Sequence, residues 1–266
     1  MVLVTLEKAK NMGTTKKQSS KKKSDKILCV IGCGGVGSHF IPPILRWNSF
    51  TKTYKEVHLI DGDFIEPKNL DRQNFTADSI MENKAEAIKR TSPSNGFKVV
   101  THPIYVNSDR LRRIFSRKKN KEIHIVMGVD NMKSRKEIND YFNGLDNAFL
   151  ISCGNEYSDG NIQMASRKNG KAITPDITCC HPEIGEPKDK SPLELGCMEI
   201  IESSPQLIFA NMTGAMLALN ALYGYNVGKL KLKRDVYFDV PTVSFEKSDF
   251  PVPVLTKEKS KKLLAK

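Results

Sequence analysis

The 266-residue sequence has no apolar run approaching the roughly 18 residues that a membrane-spanning helix needs. It has six cysteines but no Cys-x-x-Cys pair, so the usual spacing of a structural zinc site is missing. We therefore expect neither a membrane span nor a structural zinc ion. The irregular cysteine spacing and the lack of a secretory leader favour a reducing compartment, and we expect a cytoplasmic protein.

The chain is basic overall, with a net charge of +12, but the excess is concentrated at its ends. Residues 1–26 contain eight lysines against two acidic residues, and residues 255–266 contain five lysines against one. Lysine-rich segments without aromatic residues are typical of solvated tails, so nucleic acid is not the expected partner. We predict basic tails at 1–25 and 251–266 around a single domain at 26–250.

The stretch from Ile27 to Ser38 predicts a nucleotide-binding turn. An apolar, strand-like run leads directly into a Gly-x-Gly-Gly-x-Gly sequence formed by Gly32, Gly34, Gly35 and Gly37. Such glycines allow backbone N–H groups to approach a phosphate at the start of a helix. A second apolar run, 57–60, ends at Asp61, roughly where an acid that binds ribose hydroxyls is expected, about 20 residues further on.

The polar residues after this acid favour a triphosphate over a redox dinucleotide. From Asp61 to Gln73 the sequence is rich in Asp, Asn, Arg and Gln, and Lys84 follows. Arginine offers a planar fork for phosphate oxygens, lysine offers a compact charge, and a nearby carboxylate can hold Mg²⁺. A hydride-transfer enzyme has no use for such a cluster beside its cofactor.

These motifs resemble those of the ThiF/MoeB/HesA family, the bacterial relatives of ubiquitin-activating enzymes. The family fingerprint is G-x-G-G-x-G, D-x-D, N-L-x-R-Q, a lysine and D-N/D-x-x-x-R, and the similarity runs from about residue 26 to about 225. The matching residues are Gly32 to Gly37, Asp61 and Asp63, Asn69 to Gln73, Lys84, and Asp130-Asn131 with Arg135. The region 153–160 is similar to the PRTRC-type ThiF proteins, which look closest.

The resemblance implies an adenylyltransferase that uses ATP and Mg²⁺ and acts as a homodimer. Its substrate would be the C-terminal carboxylate of a ubiquitin-like or sulfur-carrier protein. It also implies a role for each matching residue. Asp61 would hold the ribose hydroxyls, while Asp130 would ligate Mg²⁺. The phosphates would be held by Asn69, Arg72 and Lys84, and the remaining nucleotide-site residues are Gly32, Gly34, Gly35, Gly37, Asp63 and Gln73, with Arg135 in support.

Cysteine positions suggest how far the reaction proceeds. Cys197 lies near the end of a long irregular segment, 170–204, before the helix that we expect from residue 205. Its position resembles that of the family thiol that follows the crossover loop, so a thioester or acyl disulfide there is one interpretation and an ordinary loop cysteine is the other. We expect Cys29, Cys33 and Cys153 to be buried core thiols. The pair Cys179-Cys180 is expected to pack the loop or to serve as a backup nucleophile.

Two departures from the family pattern stand out. Relatives often carry two C-x-x-C pairs that bind zinc, and these are missing here. Relatives also supply an arginine from the partner subunit's N-terminal segment, whereas residues 1–45 contain no arginine. A lysine in its place would lack the bidentate fork.

Alternating strand-like and helix-like segments predict an α/β fold. We expect a Rossmann-like, doubly wound, mostly parallel sheet with added antiparallel strands and a crossover loop. Pro42 and Pro43 are expected to kink or shorten the helix after Gly37, and Ser108 to cap a helix that reaches Arg117.

Three other functions remain open on the sequence alone. The same fold could activate a different carboxylate, on a tRNA base or a peptide. The chain could also be a non-catalytic nucleotide-binding module, or an NAD-dependent oxidoreductase.

Overall fold

A computed structural model describes residues 25–118, 121–194 and 206–250. The strands are β1 (Lys26–Ile31), β2 (Glu56–Ile60), β3 (Lys98–His102), β4 (Glu122–Met127), β5 (Ala148–Asn155), β6 (Asp159–Lys168), β7 (Lys171–Ala172), β8 (Asp235–Asp239) and β9 (Ser244–Ser248). The helices are α1 (Gly35–Thr51), α2 (Lys84–Thr91), α3 (Ser108–Ile114), α4 (Met132–Asn143), α5 (Pro182–Gly185) and α6 (Ile208–Asn226).

The described strands form one sheet in the order β3-β2-β1-β4-β5-β6-β8-β9, with β7 paired to β6. The first five strands in this order are parallel, and β6, β8 and β9 add antiparallel pairs. Parallel neighbours require crossover connections, and helices α1 to α4 supply them. The mostly parallel α/β sheet with antiparallel additions is therefore confirmed.

Alternation along the strands sends side chains to two cores, one on each face of the sheet. In β1, Leu28 and Val30 join a core with helices α1, α2 and α6. Ile27, Cys29 and Ile31 point to the other face and join a core with α3, α4 and α5. Each fully buried aliphatic side chain contributes about 1.5–3 kcal/mol. Because both faces are covered by helices, the sheet is doubly wound as expected.

The expected shortening of the first helix is wrong. Helix α1 continues through Pro42 and Pro43 to Thr51. A proline at position 42 cannot donate to the Ser38 carbonyl four residues earlier. The side-chain amide of Asn74 donates to that carbonyl instead, at 3.5 Å, and the helix is maintained.

The expected cap of the third helix is also wrong by one residue. The side chain of Asn107, not Ser108, accepts a hydrogen bond from the Arg110 N–H at 2.9 Å. Helix α3 then ends at Ile114, and Arg117 lies in a following 3₁₀ turn, Ser116–Lys118.

The long segment that the sequence marked as irregular contains short elements. Residues 171–194 include β7, a 3₁₀ turn at Ile177–Cys179 and α5. The rest of that segment, both basic tails and Cys197 lie outside the described residues. No helix in the described parts of the chain combines the length and apolarity that crossing a membrane would require.

The turn after β1 should depend on glycine for two separate reasons. Gly32 has φ +89°, and a Cβ there would lie 2.7 Å from the Gly128 carbonyl oxygen. Gly228 also has a positive φ, +68°, but a Cβ would meet no atom within 4 Å. We expect Gly228→Ala to lower the free energy of unfolding by about 1–2 kcal/mol, the usual cost of that backbone region. Gly32→Ala should lower the free energy of unfolding by at least about 3 kcal/mol, because the new Cβ would also overlap the Gly128 carbonyl oxygen.

Urea unfolding followed by circular dichroism measures both variants. Equal losses in the two variants would show that the close approach of residues 32 and 128 does not constrain the turn.

Candidate active site

A cavity of about 880 Å³ opens at the carboxyl ends of β1, β2 and β4, where parallel sheets bind ligands. Ten of the twelve residues predicted to bind nucleotide or act in catalysis line it, and Arg135 lines it as well. They are Gly32, Gly34, Gly35, Asp61, Asp63, Asn69, Arg72, Gln73, Lys84 and Asp130.

Gly37 and Cys197 are the two exceptions. Gly37 is buried below the turn, and a Cβ there would lie 2.1 Å from the Gly32 carbonyl oxygen. A glycine is required at position 37 because the first turn of α1 lies so close to the glycine turn that no side chain fits between them. Cys197 lies outside the described residues, so its proposed chemistry stays a prediction.

Asp61 connects the turns that follow β1 and β2. Its carboxylate accepts hydrogen bonds from the Cys33 N–H at 2.6 Å and from the Asp63 N–H at 2.8 Å. Burial and the neighbouring Asp63 raise the pKa of Asp61 to about 6. The side-chain amide of Asn83 donates to the main-chain carbonyls of Asp61 and Asp63, both at 2.9 Å. The acid is therefore held rigidly at the cavity wall.

The buried Lys84 forms an ion pair with the half-exposed Asp63 in the same wall. The Lys84 ammonium lies 2.9 Å from an Asp63 carboxylate oxygen. Burial lowers the pKa of Lys84, but Asp61 and Asp63 more than offset this effect, so the pKa is raised. The Tyr105 hydroxyl donates to the other Asp63 oxygen, and its ring covers Gly62. The charge of Lys84 is thus fixed in place beside the cavity.

The segment from Asn69 to Gln73 approaches the glycine turn from the other side. Asn69 accepts from the Glu66 N–H at 3.0 Å and so closes a short 3₁₀ turn. Arg72 is 9% exposed, and its guanidinium donates to the Lys68 carbonyl at 3.1 Å. The Gln73 amide lies beside Gly34, and its oxygen has no hydrogen-bond partner among the described residues. The Gln73 side chain therefore faces the turn that would bind phosphate, and Arg72 lines the same cavity.

Asp130 follows β4 and is exposed at the cavity. It does not cap the next helix, because the Asn131 side chain does so by accepting from the Ser134 N–H at 2.7 Å. Mg²⁺ in nucleotide sites is bound by one or two carboxylates together with phosphates and waters. One exposed carboxylate beside a turn that is expected to bind phosphate fits that requirement. Within the described ranges, no group of three or more His, Cys, Asp and Glu residues is arranged to hold a metal on its own.

A polar extension of the cavity lies on the antiparallel side of the sheet. Ser152, Gln163 and Asp235 are register partners on three adjacent strands. Arg135, 6% exposed, donates to the Ser152 hydroxyl at 2.8 Å, and His181 lies 2.8 Å from the Asp235 carboxylate. The hydrogen bond with Asp235 raises the pKa of His181. Gln163 lies between them, and its amide oxygen is buried without a partner in the described part of the chain.

The expected core thiols are confirmed. Cys29, Cys33 and Cys153 are at most 2% exposed, and burial raises the pKa of Cys153 to about 12. Buried neutral thiols of this kind are inert. Cys179 is exposed and Cys180 is half-buried.

Sequence reasoning missed several residues that shape this cavity. Asn83 could have been found, since an asparagine directly before a helix is a capping signal. Tyr105 and Gln163 follow no motif. The pairing of His181 with Asp235 spans 54 positions, so no local pattern predicts it.

Comparisons with solved structures show the same fold. PaaA superposes with a TM-score of 0.60 at 13% identity, over 84% of this chain and 72% of PaaA. E. coli MccB with AMPCPP and MccA superposes with a TM-score of 0.59 at 19% identity, over 86% of this chain and 65% of MccB. E. coli MccB with ATP superposes with a TM-score of 0.58 at 18% identity, over 88% of this chain and 66% of MccB. The chain therefore spans just under two thirds of these MccB chains.

No curated protein matches this sequence in a separate comparison. The likeness to PRTRC-type proteins stays a prediction. A family model, in contrast, matches residues 8–251, which include every motif that lines the cavity. The chain belongs to the ThiF family.

Proposed function

We propose that this protein uses ATP and Mg²⁺ to adenylate the C-terminal carboxylate of a ubiquitin-like or sulfur-carrier protein. The observation that carries the proposal is the convergence of Asp61, Arg72, Lys84 and Asp130 on one cavity beside the glycine turn. These four residues come from separate segments of the chain. A redox dinucleotide site would not need this concentration of phosphate-binding cations.

In the proposed reaction, a carboxylate oxygen attacks the α-phosphorus of ATP, and the bond to the leaving pyrophosphate breaks. The products are an acyl adenylate and pyrophosphate. Asp61 would accept hydrogen bonds from the ribose hydroxyls, and Arg72 and Lys84 would bind phosphate oxygens as negative charge develops there. Asp130 would hold Mg²⁺, which when bound neutralises phosphate charge.

The polar extension around Gln163 is where we propose that the acyl substrate enters. It adjoins Asp130 on the side away from the glycine turn, so a chain end lying there could reach the phosphates.

A peptide carboxylate is the second candidate substrate. MccB, a structural neighbour described as a microcin C7 biosynthetic enzyme, was solved in complex with N-formylated MccA, and the extension offers polar groups to a terminal side chain. Later transfer of the acyl group to Cys197 is the remaining part of the proposal.

Removing a charge that binds phosphate or Mg²⁺ should slow adenylation strongly. We expect Arg72→Ala or Asp130→Ala to reduce ATP–pyrophosphate exchange at least about 100-fold, because the first loses a cation that would bind phosphate and the second loses the carboxylate that would hold Mg²⁺. The exchange is driven by a carrier protein ending in Gly-Gly and, in a parallel reaction, by a short peptide with a free carboxylate.

Arg112→Ala is the matched control, since Arg112 forms an exposed ion pair with Asp109 on α3. Wild-type exchange by both site variants would refute the assigned site. A thermal shift with NAD but not with ATP would point to an oxidoreductase instead.

Nucleoside affinity should depend on pH through Asp61. With a pKa of about 6, this carboxyl is ionised at pH 8 and mostly protonated at pH 5. Only the ionised form accepts fully from the ribose hydroxyls, so affinity should fall by about tenfold between these pH values. Adenosine is the ligand of choice, because it has no phosphate that titrates, and its binding can be followed by NMR.

Asp61→Asn should bind adenosine weakly and with no such pH dependence. A profile that stays flat in the wild type, while circular dichroism shows the protein folded at both pH values, would contradict the role of Asp61.

We also propose that the protein is a homodimer. An exposed apolar face, formed by Phe50, Met212, Met216 and Tyr223, extends across the outer sides of α1 and α6. The rings of Trp47 and Tyr223, 6.3 Å apart, join the two helices at this face. A contiguous apolar surface of this kind is typical of an interaction site.

Sedimentation velocity should give a mass of twice 29.9 kDa for the wild type. Met216→Glu should shift the protein to monomer, because a charge would be buried at the interface. Phe245→Glu, on the exposed strand β9, is the control and should stay dimeric. A monomeric wild type would contradict the proposed homodimer.

A further inference from the structure

Asn211, in the first turn of α6, is a fully buried polar side chain that contacts the cavity's supporting segments. Its amide nitrogen donates to the Arg72 carbonyl at 3.3 Å, and its amide oxygen accepts from the Asn155 side chain at 3.0 Å. One side chain therefore connects α6 to the segment that carries Arg72 and to the end of β5.

The same side chain also touches the glycine turn. A Cβ on Gly35 would lie 2.5 Å from the Asn211 amide oxygen and 3.0 Å from the amide oxygen of Gln206. Only a glycine at position 35 allows α6 to approach this closely. The N-terminal turn of α6 is thus packed directly against the start of α1.

The Arg72 carbonyl is bound from both sides. A ring nitrogen of His39 on α1 lies 3.1 Å from it, and Asn211 on α6 provides the second contact. Arginine has a long, flexible side chain, so the position of its guanidinium depends on how firmly its main chain is held. Two helices hold that main chain here.

We propose that Asn211 is a positioning residue, which holds Arg72 and the glycine turn in the arrangement that binds the phosphates of the nucleotide. The inference rests on the proposed nucleotide-binding role of Arg72. Asn211 itself does not reach the nucleotide. Its loss should weaken binding of phosphates while leaving the contacts of Asp61 with the nucleoside in place.

Asn48 provides a matched control for a purely structural role. It is also fully buried in a long helix, and its amide makes two hydrogen bonds with the Tyr54 main chain, at 3.0 and 2.7 Å. It lies toward the C-terminal end of α1, away from the glycine turn. Asn48→Ala and Asn211→Ala each remove a buried bifunctional amide, so both should lower the melting temperature.

The experiment compares binding of Mg²⁺·AMPCPP and of adenosine by calorimetry, at a temperature where every variant is folded. We expect Asn211→Ala to weaken AMPCPP binding at least tenfold and adenosine binding less than twofold. Asn48→Ala should change neither by more than twofold. Equal losses of affinity for both ligands in Asn211→Ala, or no loss for either ligand, would overturn the positioning role.

Arg72→Ala separates this inference from the proposed function. If Arg72→Ala binds AMPCPP normally, the nucleotide site itself is wrongly assigned. If Arg72→Ala weakens AMPCPP binding but Asn211→Ala does not, only the positioning role fails. Should Asn211→Ala not fold, His39→Ala removes the other contact with the same carbonyl. It should weaken AMPCPP binding selectively, and unchanged binding of both ligands would again overturn the inference.

Discussion

The carboxylate of Asp61 is the interaction on which the site depends. It binds the main-chain N–H groups of Cys33 and Asp63 and so joins the turns after two neighbouring strands. Parallel strands bring their carboxyl ends to one edge, but their turns would diverge without a connection. Burial and the neighbouring Asp63 raise the pKa of this acid, and the hydrogen bonds that it accepts offset only part of that effect.

The charges around the cavity are arranged before any ligand arrives. Lys84 is paired with Asp63, and Tyr105 holds Asp63 from the other side. In a partly buried site such pairing keeps the ammonium both charged and oriented, so the proposed binding of phosphate would require little reorganisation. Asp63, the second acid of the D-x-D motif, therefore orients a lysine beside the cavity, and its role toward a nucleotide stays a prediction. Asp130 is exposed at the cavity, and its role as a Mg²⁺ ligand likewise stays a prediction.

How well the sequence predicted each element depended on the range of the interactions that form it. The strands at 27–31 and 57–60 were predicted well, because local apolar runs specify them. Pro42 and Pro43 were expected to kink or shorten helix α1, but the helix continues to Thr51, and an amide from Asn74, far along the chain, replaces one lost donor. The cap of α3 was misplaced by one residue, since Asn107 and Ser108 are both good capping residues and only geometry selects between them.

The sequence by itself determined the sheet class and the grouping of the predicted site residues around one cavity, because short motifs at strand ends must converge once the strands are parallel. Only the tertiary structure decided how those residues are supported. The contacts of Asn211 with Arg72 span 139 positions, and those of His181 with Asp235 span 54. Such pairs leave no periodic pattern or characteristic spacing in the sequence. They form only after the packing of helices against the sheet brings distant segments together.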